Sequence, residues 1–289
     1  MKVSFIHAGL FKLDGGAMFG VVPKRMWNKL NPSDENNMCT WSMRCLLIET
    51  GDRKIIVDTG MGDKQDAKFR SHFEPHGKQS LRSSLMNQRL KVEDITDVFL
   101  THLHFDHVGG AISKNEKGEL FPTFPNATYH TNQNHYDWAM SPNPRERASF
   151  LKENFVELNS LGVLNFIDIK HETQAFNWLP GIDIQLYYGH TNAMMGLHLN
   201  IENKHLKYVA DLMPSAFHVG LPYVMSYDID PLKSIEEKKA FHHRVLDEKA
   251  LILFEHDPVN AAATLTVNQK GRTVLGEIQE LDSFLAHSS

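Results

Sequence analysis

Short apolar runs, each closed by a turn signal, recur along the chain. Residues 44–62, RCLLIETGDRKIIVDTGMG, read as a strand, a Gly-Asp turn and a second strand. The runs DITDVFLT (94–101), IDIQLYY (182–188), HLKYVA (205–210) and KALILFE (249–255) read as buried strands. Helical spacing fits residues 65–73, 80–90, 131–140 and 144–161. Residues 230–250 predict a longer helix with Asp230 as N-cap and Pro231 at its first position. Leu232, Ile235, Ala240 and Val245 roughly follow one face of it. Strands and helices mix throughout, with no linker or low-complexity tract. The pattern predicts a single α/β domain over residues 1–289.

Composition narrows the setting. The 289 residues carry a formal net charge of -5, with 42% hydrophobic and 22% charged side chains, which is ordinary for a globular chain. No run of about 18 apolar residues predicts a membrane span. The opening MKVSFIHAGLFKLDGG lacks the continuous apolar stretch of a signal peptide. A mildly acidic chain without a basic cluster speaks against binding nucleic acid. Cys39 and Cys45, six positions apart on a predicted strand, stand roughly 20 Å from each other, too far for a disulfide. Two buried free thiols suit a reducing compartment, and the expected location is cytoplasmic.

Histidine is the anomaly, with 17 residues, and its placement is more informative than its number. His102 and His104 follow the strand ending at Thr101, His190 follows IDIQLYYG, Asp211 follows HLKYVA, and His256 follows KALILFE. Four predicted strands thus end in a residue that ligates metals, at the end where loops carry chemistry in α/β proteins. In an extended segment residues two apart point the same way, so His102 and His104 can grip one ion. If the chain then turns, Asp106 and His107 can face a second. Gly109 and Gly110 allow a tight turn afterwards. Imidazole and carboxylate ligands without thiolate suit zinc, with manganese, iron or cobalt as alternatives.

The stretches HLHFDH (102–107), GHT (189–191), AD (210–211), EHD (255–257) and IIVDTG (55–60) resemble the metallo-β-lactamase superfamily, in the family's order and over most of the chain. The resemblance implies an αβ/βα four-layer sandwich. It implies one metal on His102, His104 and His190, and a second on Asp106, His107 and His256, with Asp211 bridging. Asp58 would orient ligand histidines from behind.

Within the superfamily the chain resembles the quorum-quenching N-acyl homoserine lactonases and their phosphotriesterase-like relatives, through DGGAMFGVVPKRMW (14–27), THLHFDHVGG (101–110) and ADLMPSAFHVGLPYVMSYDIDP (210–231). The resemblance implies a dinuclear, zinc-dependent hydrolase that opens a lactone or ester through a hydroxide held between the two metals, with Asp106 carrying the proton to the leaving group. A phosphotriesterase or thioesterase is the alternative hydrolase. An iron oxidoreductase or a metal-binding protein is the non-hydrolytic alternative. Some lactonases carry a tyrosine three residues after the bridging aspartate; this chain has Pro214 there, and His218, Tyr223 or Tyr227 would take its place. A second departure is GHTNAM, where many relatives have Gly-His at the positions of Ala193 and Met194. The expected partner is a small molecule with an apolar chain, which needs apolar walls. Met18, Phe19, Trp27 and Phe105 are candidates for a lid over them, with ordinary core packing as the competing reading.

Overall fold

β-branched and leucine-rich runs build two sheets, one for each of two units of the chain. The computed structural model describes residues 1–169 and 175–286. The first unit is Met1–Phe11 with Ser42–Ile169, and the second is Lys12–Trp41 with Lys170–Ser289. In chain order the helices are α1 (Gly15–Phe19), α2 (Lys24–Trp27), α3 (Ala67–Phe73), α4 (Leu81–Asn87), α5 (Phe105–Val108), α6 (Gln133–Met140), α7 (Val156–Ser160), α8 (Pro231–Glu248) and α9 (Leu281–Ala286). None of them is long and apolar enough to cross a membrane.

The sheet of the first unit has the order β1 (Lys2–Asp14), β2 (Met38–Thr50), β3 (Arg53–Val57), β4 (Asp97–Phe99), β7 (Thr128–Thr131), β8 (Leu164–Phe166). A ribbon of β5 (Ile112–Lys114) and β6 (Leu120–Pro122) stands beside it in sequence. β2 and β3 form the expected hairpin, with Leu46 opposite Val57. β3, β4, β7 and β8 then pair in parallel. Parallel strands are covered on both faces, so they read as continuous apolar runs rather than alternating ones. Ile55, Ile56, Val57, Val98 and Phe99 are accordingly all buried. Leu47, Ile56, Val98, Leu100, Phe124, Tyr129 and Phe155 belong to the core of this unit.

The second unit has a seven-stranded sheet. Its order is β15 (Thr273–Ile278), β14 (Ala262–Val267), β13 (Leu251–Leu253), β12 (Lys204–Tyr208), β11 (Met194–Ile201), β10 (Ile182–Tyr187), β9 (Phe176–Leu179). Among the described residues of this unit only β12 and β13 pair in parallel. On β10 the buried Ile182, Ile184 and Leu186 alternate with partly exposed neighbours. Met194, Val209, Phe241, Val245, Ile252 and Phe254 share the core of this unit. Cys39 and Cys45, both on β2, are buried free thiols, as expected.

Two expectations change. Residues 144–161 do not form one helix; only α7 and a 3-10 turn at Lys152–Asn154 are helical there. The Asn143 side chain accepts from the backbone N–H of Arg145 and Glu146 and holds this stretch in a turn. On α8, Asp230 caps Lys233 N–H and Pro231 sits at the start, as expected, but the buried face differs. Leu232 is 73% exposed, while Ser234, Lys238, Phe241, His242 and Val245 are buried.

Candidate metal centre

In the first unit the ligand-type residues sit directly after β4. His104 precedes α5, which carries Asp106 and His107, and all of them are buried with His102. The ligand atoms of His102 lie within 4.8 Å of those of His104 and of His107, and Asp106 is as close to His107. Gly109 and Gly110 permit this packing. A Cβ on Gly109 would stand 2.1 Å from the Met61 carbonyl oxygen, and one on Gly110 2.2 Å from that of Thr59. Thr59 N–H in turn donates to His107 O at 2.7 Å, and Gly110 N–H to Gly60 O at 2.9 Å.

Asp58 fixes the protons on this cluster. Its Oδ1 accepts from Thr101 N–H at 2.8 Å. Its Oδ2 accepts from the Thr101 hydroxyl at 2.6 Å and from His107 Nδ1 at 3.1 Å. The hydroxyl has only one proton to give. His102 Nδ1, 3.0 Å from Thr101 Oγ1, must therefore be the donor in that pair. Both His102 and His107 then carry hydrogen on Nδ1 and present a bare Nε2. His104 faces the other way round, with Nε2 at 3.5 Å from Glu146 Oε1. Glu146 is buried, and its Oε2 accepts from Trp138 Nε1 at 2.8 Å and Asn143 Nδ2 at 2.6 Å. The turn that replaces the expected helix is what delivers it.

In the second unit His190 follows β10, Asp211 lies in a 3-10 turn after β12, and His256 follows β13. His190 Nδ1 donates to Asp228 Oδ1 at 2.9 Å, so the neutral ring carries no proton on Nε2. That Nε2 stands 3.2 Å from Asp211 Oδ2, while His256 Nε2 stands 3.1 Å from Asp211 Oδ1. Each oxygen of one carboxylate thus faces a different imidazole. A bare nitrogen and a carboxylate oxygen repel at that distance unless a cation lies between them. Two ligands each about 2.0–2.1 Å from a shared ion and roughly tetrahedral about it are ~3.3 Å apart. The donor set therefore fits divalent metal. The Pro214 carbonyl accepts from His256 N–H at 2.9 Å. Asp257, buried next to His256, accepts from the backbone N–H of Ala216, Val259 and Asn260 and pins that loop.

The proposed wall residues separate into two groups. Met18, Phe19 and Trp27 are no exposed lid: all three are at most 2% exposed. Phe19 stacks on Trp27 at 5.2 Å and on the ring of His218 at 5.0 Å. Both nitrogens of His218 are engaged, by Ser215 Oγ at 2.7 Å and Met18 O at 2.9 Å, and burial pushes its pKa down to about 3. His218 is thus a neutral, packed side chain with both ring nitrogens engaged. Tyr223 is half-buried, edge-on to Phe19 at 6.3 Å, and Tyr227 is also half-buried. Phe105 is different. It meets Phe73 at 4.4 Å and Phe69 at 5.2 Å, two half-buried rings of α3, a helix without a fully buried residue.

Sequence reasoning did not find Asp228, Glu146, Phe69 or Phe73. The YDID stretch around Asp228 has no diagnostic spacing, and the only available signal was a lone acidic residue before a helix cap.

Comparison with known proteins follows the same lines. Residues 44–256 match the model of the metallo-beta-lactamase superfamily. The chain is 24% identical over 269 residues to the N-acyl homoserine lactonase AiiA of Bacillus thuringiensis subsp. kurstaki, covering 89% of this chain and 93% of that one. Among solved structures, a probable metal-dependent hydrolase from Staphylococcus aureus superposes with a TM-score of 0.83 at 27% identity, covering 96% of this chain and 98% of that one. The dizinc quorum-quenching lactonase AidC, in complex with a product, shares the fold with a TM-score of 0.73 at 20% identity, over 96% and 95% of the two chains.

Proposed function

The chain belongs to the metallo-beta-lactamase superfamily and is a metal-dependent hydrolase, and from that premise we propose that it opens a lactone, of the N-acyl homoserine lactone type, at a dinuclear zinc centre. The observation that carries the reading is Asp211, whose two oxygens face His190 and His256 separately. In this reading the two units are halves of one domain spanning residues 1–289. His102, His104 and His190 hold one cation, Asp106, His107 and His256 hold the other, and Asp211 is shared. Support comes from the bare nitrogens that Asp58 and Asp228 enforce. The lactonase names of the relatives support the substrate class. The aromatic trio Phe69, Phe73 and Phe105 supports an apolar chain on it.

Bound divalent cations would supply Lewis acidity and bring the pKa of water from 15.7 down to roughly 7. The protein supplies orientation and protons. Asp58, with Thr101, and Asp228 hold the His102, His107 and His190 rings in the tautomers that ligation would need. Asp106, only 7% exposed, ends beside His107 with its Oδ2 at 3.8 Å from Nε2. Its carboxylate would take the proton given up as water adds to the lactone carbonyl and pass it to the leaving alkoxide of the opened ring. Phe105, next to Asp106 in sequence, and the two rings it touches exclude water along the acyl chain.

Base uptake in a pH-stat, with zinc-loaded protein and a long-chain N-acyl homoserine lactone, tests the reading. Fast, chelator-sensitive proton release is the expected result. No release from a protein that holds two metal equivalents would overturn the lactone assignment, and release on phosphotriesters or thioesters would replace it.

A further inference from the structure

Two adjacent side chains of α8 carry opposite charges, yet neither pairs with the other. Successive helix residues point about 100° apart, and each charge is spent on backbone. Glu237 Oε1 accepts from Tyr188 N–H at 2.8 Å, and its Oε2 from Gly189 N–H at 3.0 Å. Those are the two residues before His190. The carbonyls of the same loop are held by the chain that enters the helix: Asp230 N–H donates to Gly189 O at 2.9 Å, and Ile229 N–H to His190 O at 3.2 Å. Gly189 presses so closely that a Cβ there would stand 2.3 Å from Ser234 Oγ and 2.4 Å from Ser234 N. The backbone before His190 is therefore clamped on both its donor and its acceptor sides.

Lys238, one residue on, is fully buried. Its Nζ donates to His218 O at 2.5 Å, Gly220 O at 3.0 Å and Tyr223 O at 2.9 Å. Burial pushes the Lys238 pKa down to about 7, and in the ammonium form its three protons match these three carbonyls. The segment so gathered leads to Asp228, the residue that accepts from His190 Nδ1 at 2.9 Å. Glu237 thus fixes the main chain of His190, and Lys238 fixes the segment that supplies its ring's acceptor. No hydrophobic logic explains a buried lysine on this face, because a leucine would fill the space without needing three carbonyls.

We propose that Glu237 and Lys238 are positioning residues for the metal ligand His190, acting through its backbone and through Asp228. The proposal rests on the reading that His190 and His256 serve different cations of one centre. Loosening this clamp releases one cation and not the other.

The test is chelator-driven zinc release from the zinc-loaded protein, followed with a chromophoric chelator, together with melting of the metal-free form. Wild type should release two equivalents. Glu237→Gln keeps the size of the side chain but sets an NH2 against one of the two N–H donors. It should speed release of one equivalent about 10-fold or more, the usual penalty for losing an outer partner of a metal ligand. The second equivalent should leave within about 2-fold of its wild-type rate. Lys238→Met should show the same selectivity. Glu237→Asp, which keeps the charge, should partly restore retention, and it carries the test alone if the other variants do not fold. Release of both equivalents together, or of neither, would overturn the proposal while leaving the two-metal reading intact. A wild type that never binds two equivalents would overturn that reading and the proposal with it.

Discussion

Replacing Asp58 by asparagine changes one oxygen to an NH2 and leaves the shape of the side chain alone, yet it should unsettle two of the proposed metal ligands at once. The carboxylate receives three hydrogen bonds, from Thr101 N–H, Thr101 Oγ1 and His107 Nδ1. An amide has one oxygen to offer. If that oxygen stays with Thr101 N–H, the NH2 faces the hydroxyl and the imidazole. The hydroxyl must then turn its proton to His102 Nδ1, and His107 must surrender its Nδ1 hydrogen. Both rings move their proton to Nε2, the atom that ligation needs bare. Loss of an outer partner costs about 10–100-fold in metal affinity per ligand. Two ligands give about 10²–10⁴-fold, or ~3–5.5 kcal/mol at 1.36 kcal/mol per decade. If the amide turns over instead, the NH2 faces Thr101 N–H and leaves a buried donor unpaired, at about 1–3 kcal/mol. Zinc competition against a chelator of known affinity measures the first quantity. Nitrogen-15 NMR of the metal-free protein reports the tautomers of His102 and His107. Wild-type affinity within about 3-fold, with both rings still protonated on Nδ1, would refute the proton bookkeeping.

Four further outcomes are expected. Asp211→Asn should lose both metal retention and turnover, read as zinc equivalents after gel filtration and as initial rate; unchanged values in both would remove Asp211 from the centre. Phe73→Ala, taking one ring from the trio at Phe105, should raise KM for long-chain lactones by about 10-fold, from ~1.5 kcal/mol of lost apolar contact, and leave short-chain substrates almost unaffected. Gly109→Ala should cost on the order of 3 kcal/mol in urea unfolding, because its Cβ would stand 2.1 Å from the Met61 carbonyl oxygen, which is backbone that cannot step aside. Burial pushes His242 down to about 4, with the Lys238 charge adding to it. The unfolded chain, titrating near 6.5, then binds the proton first, so this residue costs stability as pH falls from 6.5 towards 4. The loss is at most about 1.4 kcal/mol per pH unit, and His242→Leu should remove that part of the slope when unfolding of the two proteins is compared at pH 7 and pH 5.

What could be read from the chain alone divides along physical lines. The buried parallel strands announced themselves because both faces are covered, so Ile55, Ile56 and Val57 stand together in sequence. The candidate ligands could be named because metal chemistry demands particular side chains at short spacings, as around residues 102–107. β1 stayed hidden. Its buried Val3, Ile6, Phe11 and Leu13 keep no regular period, and Gly9 sits at a φ of 112° in the middle of it. The inner face of α8 stayed hidden for the opposite reason. Lys238 and His242 occupy it, and an apolar template reads both as solvent-facing. Asp228 and Glu146 act across long stretches of chain on one histidine each, and local spacing carries no trace of such a partnership. Phe69 and Phe73 are half-exposed on a seven-residue helix, too short for a face to be distinguished.

The parallel pairing of β4 with β7 and of β12 with β13 bears on when metal can matter during the life of the molecule. Such strands cannot meet through a tight turn. Each pair closes only after a long crossover has been drawn in, which makes assembly slow. His102, His104, Asp106 and His107 lie in the first of those crossovers, and Asp211 and Asp228 in the second. Their geometry exists only after the strands have found each other. A cation arriving early would meet scattered side chains with nothing to align them. It would therefore come last, as a bolt and not as a mould, and it would prolong the lifetime of the finished protein without hastening its birth.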